Sequence, residues 1–488
     1  MSVFFVRNVF RKSEESPLVF SSSIFLFIFL PLVLFFYFIV RAELRNFVLL
    51  AFSLIFYAWG EPRFVLLMLF SIVLNYCFGL LVHHYDKRKN MKVTFLIMAV
   101  VGNILLLSYF KYISFFTDIL NNVLHLSIHV EPIPLPIGIS FYTFQAMSYV
   151  IDIYRKDGDV QKNPLNLALY ISIFPQLIAG PIVRYNIVAE QIKTRIHSFE
   201  RFTEGIQIFV LGLAKKILIA NQVGFVADKI FALPPSEISV GTAWIGIIAY
   251  TLQIYFDFSG YSDMAIGLGK MFGFDFPKNF NYPYISKSIS EFWRRWHITL
   301  GSWFRDYIYI PLGGNRVSKL ANYRNLFIVW GLTGLWHGAS WTFIAWGLYY
   351  GFIISIEKAG FEKILNKLWK PLQHAYVLII VMIGWVFFRA DNFAYSFQYL
   401  KAMFGIEGQS LIDDNTMLYV HEYIIVFLIA FIAATPILKR VKNILELAPK
   451  TYMFTMQFVR PILLLTLFMI SVMYLINSTY NPFIYFRF

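Results

Sequence analysis

Uncharged apolar stretches long enough to cross a lipid bilayer recur along this chain. Residues 17–40 form the first, with no Asp, Glu, Lys or Arg. The hydrocarbon core of a bilayer is about 30 Å thick, and a helix of about 20 apolar residues spans it. Because backbone polar groups in lipid must be hydrogen-bonded within the protein, such stretches fold as helices. The chain is therefore predicted to be an all-α polytopic membrane protein.

Composition supports this class and excludes others. Of the 488 residues, 58% are hydrophobic and 14% are charged, whereas a soluble domain carries about 25% charged residues. The net charge of +14 comes from short basic clusters between apolar stretches, which indicates membrane topology and not nucleic-acid binding. Cys77 is the one cysteine, so a disulfide framework or thiolate metal site is excluded, and no metal is predicted.

The hydropathy pattern predicts about a dozen spanning helices in one transmembrane domain at residues 18–488, after a disordered leader at residues 1–17. Arg41 and Arg45 flank one turn and Lys87–Lys92 is a basic loop two spans later, so both turns are expected in the cytoplasm. Boundaries are good to about 2–4 residues. The predicted spans are 17–40, 45–60, 62–82, 92–112, 134–154, 165–183, 205–226, 240–258, 323–339, 341–357, 372–388, 422–438 and 456–476.

The segment WRRWHITLGSWFRDY, residues 293–307, is unusually charged for this chain. Helical spacing predicts one continuous amphipathic helix with His297 on its polar side. One interpretation is an interfacial helix with arginines among lipid phosphates and tryptophans in an aromatic belt. The other is part of a functional site. The two predicted faces consist of Trp293, Trp296, Leu300 and Trp303 (apolar), and of Arg294, His297, Gly301 and Arg305 (polar).

A second histidine, His337 in GLWHGASW, lies in a stretch from 325 to 355 without Asp, Glu, Lys or Arg. An ionisable residue inside a membrane is a functional candidate by default. Burial should keep its ring neutral and able to take a proton, and Gly334 and Gly338 are expected to leave room for a substrate. The alternative is a packed histidine hydrogen-bonded between helices.

Several long segments resemble the membrane-bound O-acyltransferase superfamily, in its alginate O-acetyltransferase branch, which includes peptidoglycan O-acetyltransferases. The resemblance extends from about residue 18 to the last residue. It is carried by EFWRRWHITLGSWFRDYIYIPLGGNR (291–316), RNLFIVWGLTGLWHGASWTFIAWGLYYG (324–351), VFSSSIFLFIFLPLV (19–33), FYAWGEPRF (56–64), LPIGISFYTFQAMSYVIDIYR (135–155), FPQLIAGPIVRY (174–185), YFDFSGYSDMAIGLGKMFGF (255–274) and GWVFFRA (384–390).

This resemblance implies a bundle of about 11–13 helices with re-entrant segments around a central funnel. It implies transfer of an acyl group from a thioester to a hydroxyl, with His337 as the catalytic residue and His297 as a second functional histidine. Trp336 and Ser340, in the motif of His337, are predicted to support the site. We expect His337 to act as a general base and His297 to polarise the thioester carbonyl or orient the acceptor.

The same resemblance suggests acetyl-coenzyme A as donor, with no resident cofactor. Guanidinium groups bind phosphate well, so Arg294, Arg295 and Arg305 are candidates for donor binding, or for contact with membrane lipids. Asp257 and Asp263 flank Ser259 in YFDFSGYSD. They either steer substrate or support a catalytic group, or they pair with nearby arginines and cap a helix break at Gly260.

The chain terminates in NPFIYFRF, residues 481–488. This terminus resembles the family's C-terminal motif and the tail of a small partner peptide in the related D-alanylation system. Tyr485 is therefore a candidate acyl relay. The alternative is an aromatic anchor at the membrane interface, supported by Phe483, Phe486 and Phe488.

The leading hypothesis is an O-acetyltransferase in the bacterial cytoplasmic membrane that moves acetyl from cytoplasmic acetyl-coenzyme A to an extracytoplasmic polysaccharide such as alginate or peptidoglycan. A periplasmic or extracellular partner of the SGNH-hydrolase type would place acetyl on the sugar. Two alternatives stay open. One is D-alanyl transfer to teichoic acid, and the other is a non-enzymatic scaffold for polymer export.

Overall fold

The computed structural model describes residues 18–131 and 133–484 and shows no β-strand among them. The predicted all-α polytopic class is confirmed. The predicted leader at residues 1–17 and the relay candidate Tyr485 lie outside the described residues. Among the described helices, seven are long and apolar enough to cross a membrane, judged by length and composition. They are Ala42–Gly60, Val65–His84, Lys89–Lys111, Phe199–Phe231, Lys370–Arg389, Asp414–Ala433 and Pro449–Asn477.

The chain forms two compact units, Met1–Phe209 with Asp263–Pro277, and Val210–Ser262 with Lys278–Phe488. The single domain at residues 18–488 stays a prediction. The helices that lie in the first unit or begin there are Phe25–Phe29 (π), Leu30–Ile39, Ala42–Leu44 (3₁₀), Arg45–Gly60, Val65–His84, Lys89–Lys111, Ile113–Leu124, Ile139–Arg155, Pro164–Ser172, Phe174–Leu177, Tyr185–Lys193 and Phe199–Ala214.

Aromatic packing forms the core of the first unit. Phe25, Phe29, Phe56 and Phe174 are buried, and their rings lie 5.4–6.2 Å apart. Aromatic side chains bury a large area each and favour such tilted and edge-to-face geometries. The apolar residues of this part of the chain therefore include side chains that pack in the protein core as well as side chains on the surface.

One predicted span of this unit, 165–183, is interrupted in the structure. The helix Pro164–Ser172 ends, Ile173 leaves the helical conformation at φ −54° and ψ 117°, and a short helix Phe174–Leu177 begins. Pro175 has no N–H to donate to the preceding turn, so it is accommodated near the start of a new helix. The prediction of one continuous span is wrong at this point.

The second unit holds both candidate histidines. Its helices begin in or run into residues 210–262 and 278–484. They are the end of Phe199–Ala214, Lys215–Ala220 (π), Asn221–Phe231, Pro235–Glu237 (3₁₀), Val240–Met271, Pro283–Ile285 (3₁₀), Ile289–Arg295, Ile298–Phe304, Arg305–Tyr309 (π), Lys319–His337, Trp341–Ile356, Glu357–Phe361 (π), Glu362–Leu365, Lys370–Arg389, Phe393–Met403, Asp414–Ala433, Ile437–Glu446, Pro449–Phe454, Thr455–Val459 (π) and Arg460–Asn477.

Small residues let the helix that ends at His337 approach its successor closely. A Cβ at Gly334 would overlap the carbonyl oxygen of Phe343, and one at Gly347 would overlap that of Trp330. Such close backbone approach is a common way to pack helices in membranes, where apolar burial supplies little drive for association. The glycines therefore set the position of His337 relative to the helix Trp341–Ile356.

Replacement of Gly347 by alanine tests this packing. The added methyl must push the two helices apart, so we expect Gly347→Ala to lower the free energy of unfolding by about 1–3 kcal/mol. Gly331→Ala is the matched control, because its Cβ would lie 3.6 Å from the nearest atom, Cδ2 of Leu348. Melting temperatures of the detergent-solubilised proteins provide the measurement. Equal stability of both variants would contradict the close approach.

Candidate active site

The amphipathic segment 293–307 is not one helix, contrary to the prediction. The helix Ile289–Arg295 ends before Trp296, and a second helix begins at Ile298. Between them His297 adopts a left-handed conformation with φ 44° and ψ 54°. This conformation is uncommon for residues other than glycine, although histidine adopts it more often than most. His297 is 2% exposed and does not lie on a polar helix face.

A segment without regular secondary structure at residues 279–281 accounts for the break. The backbone N–H of Asn281 donates to the carbonyl oxygen of Arg295, and the N–H of Ile298 donates to that of Asn279, each at 2.9 Å. These bonds supply partners for the carbonyl of Arg295, at the end of one helix, and for the amide of Ile298, at the start of the next. In an uninterrupted helix both groups would form hydrogen bonds within the helix. Tertiary pairing has therefore replaced one turn of helix.

The side chain of Asn279 also determines the tautomer of His297. Its Oδ1 accepts from the backbone N–H and the hydroxyl of Thr299, at 3.2 and 2.9 Å, which identifies that atom as oxygen. His297 Nδ1 lies 3.1 Å from the same oxygen, so Nδ1 must carry the proton. Nε2 is then the ring atom with a free lone pair, and it has no hydrogen-bond partner among the described residues.

Burial lowers the pKa of His297 well below its ordinary value, because the charged imidazolium would lose its hydration. The edge of Phe258 faces the ring at a centroid distance of 4.6 Å. At neutral pH the ring is uncharged. Its Nε2 can accept a hydrogen bond from a hydroxyl but cannot donate one to a carbonyl.

His337 is the last residue of the helix Lys319–His337 and is 7% exposed. Three aromatic rings surround it edge-on, those of Trp336, Trp346 and Phe388, with centroids at 4.9, 5.0 and 5.2 Å. Trp336 also lies 6.2 Å from the ring of His297. These aromatic contacts restrict the orientation of the imidazole.

The expectation that Gly334 and Gly338 leave room for substrate is wrong. Gly334 abuts the backbone of Phe343, and a Cβ at Gly338 would overlap the ring of the same residue. The helix Trp341–Ile356 therefore occupies the space beside both glycines. The room next to His337 lies on another side.

That room is a cavity of about 500 Å³ lined by both His297 and His337. We call it the active-site cavity. Pockets of this size suit small-molecule ligands, particularly where apolar walls carry a few polar groups. Its remaining lining residues are Ser290, Trp293, Arg294, Trp296, Ile298, Leu300, Gly301, Ser302, Phe304, Arg305, Tyr309, Leu326, Val329, Trp330, Thr333 and Lys358.

The three candidate arginines differ in position. Arg294 and Arg305 line the active-site cavity, and Arg305 forms a bidentate pair with Asp306 at 2.7 and 3.2 Å. Arg295 does not line it and instead binds Glu291 at 2.9 Å. Lys358, which the sequence analysis did not select, lines the cavity and lies 5.6 Å from the centroid of the Tyr309 ring. Arg294, Arg305 and Lys358 thus supply the cations of this cavity.

A buried carboxylate fixes the helix that carries Arg294. Glu357 is 1% exposed and accepts hydrogen bonds from the backbone N–H groups of Ile289 and Ser290 at 2.7 and 2.9 Å. The hydroxyls of Ser290 and Tyr376 donate to it as well. A carboxylate at a helix N-terminus is stabilised by the unpaired amides and the helix dipole. This contact joins one wall of the cavity to the helices that follow His337.

Asp257 contacts the C-terminal segment and not an arginine. Its Oδ1 lies 2.5 Å from Nζ of Lys216, and the two side chains are 2% and 3% exposed. Lys216 Nζ also donates to the carbonyl oxygen of Pro482, and Asp257 Oδ2 accepts from the backbone N–H of Ile484 at 2.8 Å. The buried ion pair therefore binds two backbone groups on either side of Phe483. We call these three contacts the tail clasp.

The tail clasp brings the end of the described chain next to His337. Ile484 and His337 both line a second, small cavity, with Phe258, Trp296, Trp346 and Phe388. The ring of Phe483 stacks on Tyr261 at 4.7 Å. Residues 480–484 are thus packed inside the second unit close to one of the two candidate histidines.

Two other predicted residues lie elsewhere. The helix Val240–Met271 is continuous through Gly260, so the predicted helix break there is wrong. Asp263, on that helix, belongs to the first unit. Ser340 precedes the helix Trp341–Ile356, where its hydroxyl binds that of Thr342 at 2.8 Å, and it does not line the active-site cavity.

Sequence reasoning missed Asn279, Lys216 and Lys358. Lys216 carries the clearest signal, because a lysine within an apolar span needs a buried partner. Asn279 and Lys358 lie in locally polar sequence, where nothing distinguishes them from surface residues. Their roles depend on tertiary contacts.

The fold and the site define a class. The chain is a helical membrane protein with two buried histidines on one apolar cavity whose cations can bind an anionic ligand. The model of the MBOAT, membrane-bound O-acyltransferase family, matches residues 51–394. The chain belongs to this family and is an O-acyltransferase.

Named relatives agree with this assignment. A protein of Azotobacter vinelandii, "Probable alginate O-acetylase AlgI", is 42% identical over 96% of this chain and 100% of its own length. The protein of the same name in Pseudomonas aeruginosa is 46% identical over 82% of this chain and 77% of its own length. The "Peptidoglycan O-acetyltransferase" of Helicobacter pylori is 38% identical over 81% of each. The resemblance inferred from the motifs is confirmed.

The tail clasp generates a prediction about stability. Removing one partner of a buried ion pair leaves an unpaired charge, which costs about 3–5 kcal/mol. We expect Lys216→Met to lower the melting temperature of the purified protein and to make the C-terminus sensitive to carboxypeptidase. The control is Lys229→Met, because Lys229 is exposed on the helix Asn221–Phe231. Equal carboxypeptidase resistance of Lys216→Met and wild type would contradict the clasp.

Proposed function

We propose that this protein transfers acetyl groups from acetyl-coenzyme A to a hydroxyl group, for O-acetylation of an extracytoplasmic polysaccharide. The observation that carries the proposal is the active-site cavity, which both His297 and His337 line. The names of the relatives support acetyl as the acyl group and alginate, peptidoglycan or a similar polymer as final acceptor. The protein would act in the bacterial cytoplasmic membrane.

His337 is proposed as the general base. It takes the proton of the acceptor hydroxyl while the hydroxyl oxygen attacks the thioester carbonyl carbon. The new C–O bond forms, the C–S bond breaks, and the proton passes to the leaving thiolate. This role requires a neutral imidazole, in which one ring nitrogen carries a lone pair.

His297 is proposed to orient the acceptor. Because its Nδ1–H is bound to Asn279, its Nε2 can accept a hydrogen bond from the attacking hydroxyl. Of the two roles expected from the sequence, orientation of the acceptor fits this tautomer, whereas polarisation of the carbonyl would need a donor at Nε2. Oriented binding lowers the entropy lost on reaching the transition state.

The cations of the cavity are proposed to bind the phosphate groups of the donor. Arg294 and Lys358 line the same cavity as the histidines, and Arg305 does so although it is paired with Asp306. Guanidinium and ammonium groups form charge-assisted hydrogen bonds with phosphate. Arg295 forms an ion pair with Glu291 and does not line the cavity, so it is not proposed to contact the donor.

Tyr485 is proposed as an acyl relay. Ile484, the residue before it, lines the small cavity that His337 also lines, and this position of the described end of the chain supports the proposal. With a relay, the hydroxyl that His337 deprotonates first would be the phenol of Tyr485: its oxygen attacks the thioester carbonyl carbon, the C–S bond breaks, and the thiolate takes the proton. The acceptor hydroxyl would then attack the tyrosyl ester, the bond from the acyl carbon to the phenolic oxygen breaks, and the phenolate takes the acceptor's proton. A partner of the SGNH-hydrolase type would complete transfer to the sugar outside the membrane.

The first test replaces His337. We expect His337→Ala to remove transfer almost completely, because loss of a general base costs about 10²–10⁴-fold in rate. Base-labile acetate and D-alanine would be released from each separated envelope polymer of cells that produce either protein at matched abundance. Loss of acetate from one polymer names the acceptor, and loss of D-alanine would instead favour teichoic acid. Unchanged acyl content would contradict the assignment of His337 as the general base.

A second test separates a relay from an anchor at the C-terminus. Tyr485→Phe retains the ring and removes the hydroxyl, so we expect it to abolish acetylation while protein abundance stays normal. Tyr474→Phe, on the exposed side of the helix Arg460–Asn477, is the matched control. Transfer that persists in Tyr485→Phe would assign the terminus to anchoring alone.

A further inference from the structure

A second cavity of about 500 Å³ lies within the first unit. None of its lining residues has a part in the proposed acyl transfer. They are Ala42, Glu43, Arg45, Asn46, Phe47, Asn163, Leu165, Asn166, Ile192, Lys193, Thr194, Arg195 and His197. Most of the lining side chains are polar or charged, in contrast to the tryptophan-rich active-site cavity. We call this space the basic cavity. It lies at the start of the span Ala42–Gly60, and therefore at one end of a membrane-crossing helix.

Two arginines of the basic cavity converge on one tyrosine. The guanidinium carbons of Arg45 and Arg195 lie 5.6 and 5.9 Å from the centroid of the Tyr37 ring. Arg195 Nε donates to the Tyr37 hydroxyl at 3.2 Å. That hydroxyl donates to the carbonyl oxygen of Phe272 and contacts His197 Nε2 at 2.8 Å. Two positive charges are thus held on one aromatic side chain.

The hydrogen bonds of these arginines go to neutral groups. Arg195 donates to Oδ1 of Asn46 at 2.7 Å, and Arg45 contacts Nδ1 of His197 at 3.4 Å. Within residues 18–131 and 133–484, no carboxylate forms a salt bridge with either arginine. Glu43, although in the lining, does not pair with them. Arg201 of the same unit, by contrast, binds Asp275 at 2.6 Å.

This arrangement is electrostatically incomplete. Burial lowers the pKa of His197, and the charges of Arg45 and Arg195 lower it further, so the imidazole adds no charge at neutral pH. The buried Nε of Arg45 has no acceptor among the described residues. Like charges held together in a partly buried site repel each other unless an anion neutralises them. A hydrogen-bonding anion would both neutralise the pair and accept the remaining donors.

We propose that the basic cavity binds a phosphate group through Arg45 and Arg195. Phosphate matches the planar donor arrangement of guanidinium groups, which bind it in bidentate fashion. Its source is either the headgroup of an anionic phospholipid or a soluble phosphate compound. The position at the end of a span is the level at which lipid headgroups lie, and polybasic sites there attract anionic lipids.

The experiment uses the full-length protein in nanodiscs. In one arm, phosphatidylglycerol replaces part of the phosphatidylcholine. In the other, inorganic phosphate is titrated against protein in phosphatidylcholine alone, with sulfate-free buffer at constant ionic strength. Melting temperature and lipid retention in native mass spectrometry report binding. Stabilisation by phosphatidylglycerol alone identifies a lipid headgroup, whereas stabilisation by inorganic phosphate identifies a soluble ligand.

Variants tie the binding to the basic cavity. Arg45→Gln with Arg195→Gln should weaken the apparent affinity about tenfold or more, since two charge-assisted contacts are lost. Arg63→Gln with Arg88→Gln makes the same change in net charge at exposed positions outside the cavity and should leave the affinity unchanged. If the first pair does not fold, Arg195→Lys retains the charge but loses the bidentate geometry and should still weaken binding.

Two results would overturn the proposal. One is the absence of any stabilisation or retained ligand in both arms with the wild-type protein. The other is an equal loss of affinity in the exposed control pair. That result would mean that the binding of phosphate or lipid depends on the net charge of the protein and not on this cavity. Acyl transfer does not enter either readout, so the outcome is independent of the proposed function.

Discussion

The buried ion pair between Lys216 and Asp257 is the interaction on which the arrangement of the second unit most depends. Two charges that are only 2–3% exposed have lost their hydration, and their mutual attraction alone often fails to offset that loss. Here the remaining hydrogen-bonding capacity goes to the backbone of Pro482 and Ile484. Because backbone groups are bound, the pair fixes the register and direction of the tail whatever its side chains are.

Tertiary hydrogen bonds also determine the conformation of His297, where they replace hydrogen bonds within a helix. The segment at residues 279–281 supplies the partners that the broken helix lacks, and the side chain of Asn279 then binds Nδ1 of the histidine. One asparagine thus helps to break the helix and determines which ring nitrogen carries the lone pair. Folding and the chemistry of the ring are coupled at this residue.

The membrane class, most of the long helices and the two histidines could be predicted from the sequence, because each leaves a local signal. Apolar length identifies a span such as Lys370–Arg389, and an isolated histidine in uncharged sequence identifies His337. The left-handed turn at His297 could not be predicted, since its spacing fits a continuous helix and its cause lies at residues 279–281. The same limit applies to Gly338, where only the structure shows Phe343 beside it.

The two histidines are not equivalent in the structure, and this asymmetry constrains any mechanism for the site. At His297 a hydrogen bond on one ring nitrogen leaves an acceptor on the other, whereas three edge-on aromatic rings hold His337. A hydroxyl placed in the active-site cavity can donate its proton to only one acceptor at a time. The hydrogen bond from the hydroxyl to His297 must therefore be released before His337 removes the proton. Trp296 lines both the active-site cavity and the small cavity beside it, and apolar walls of this kind limit water that would compete for either step.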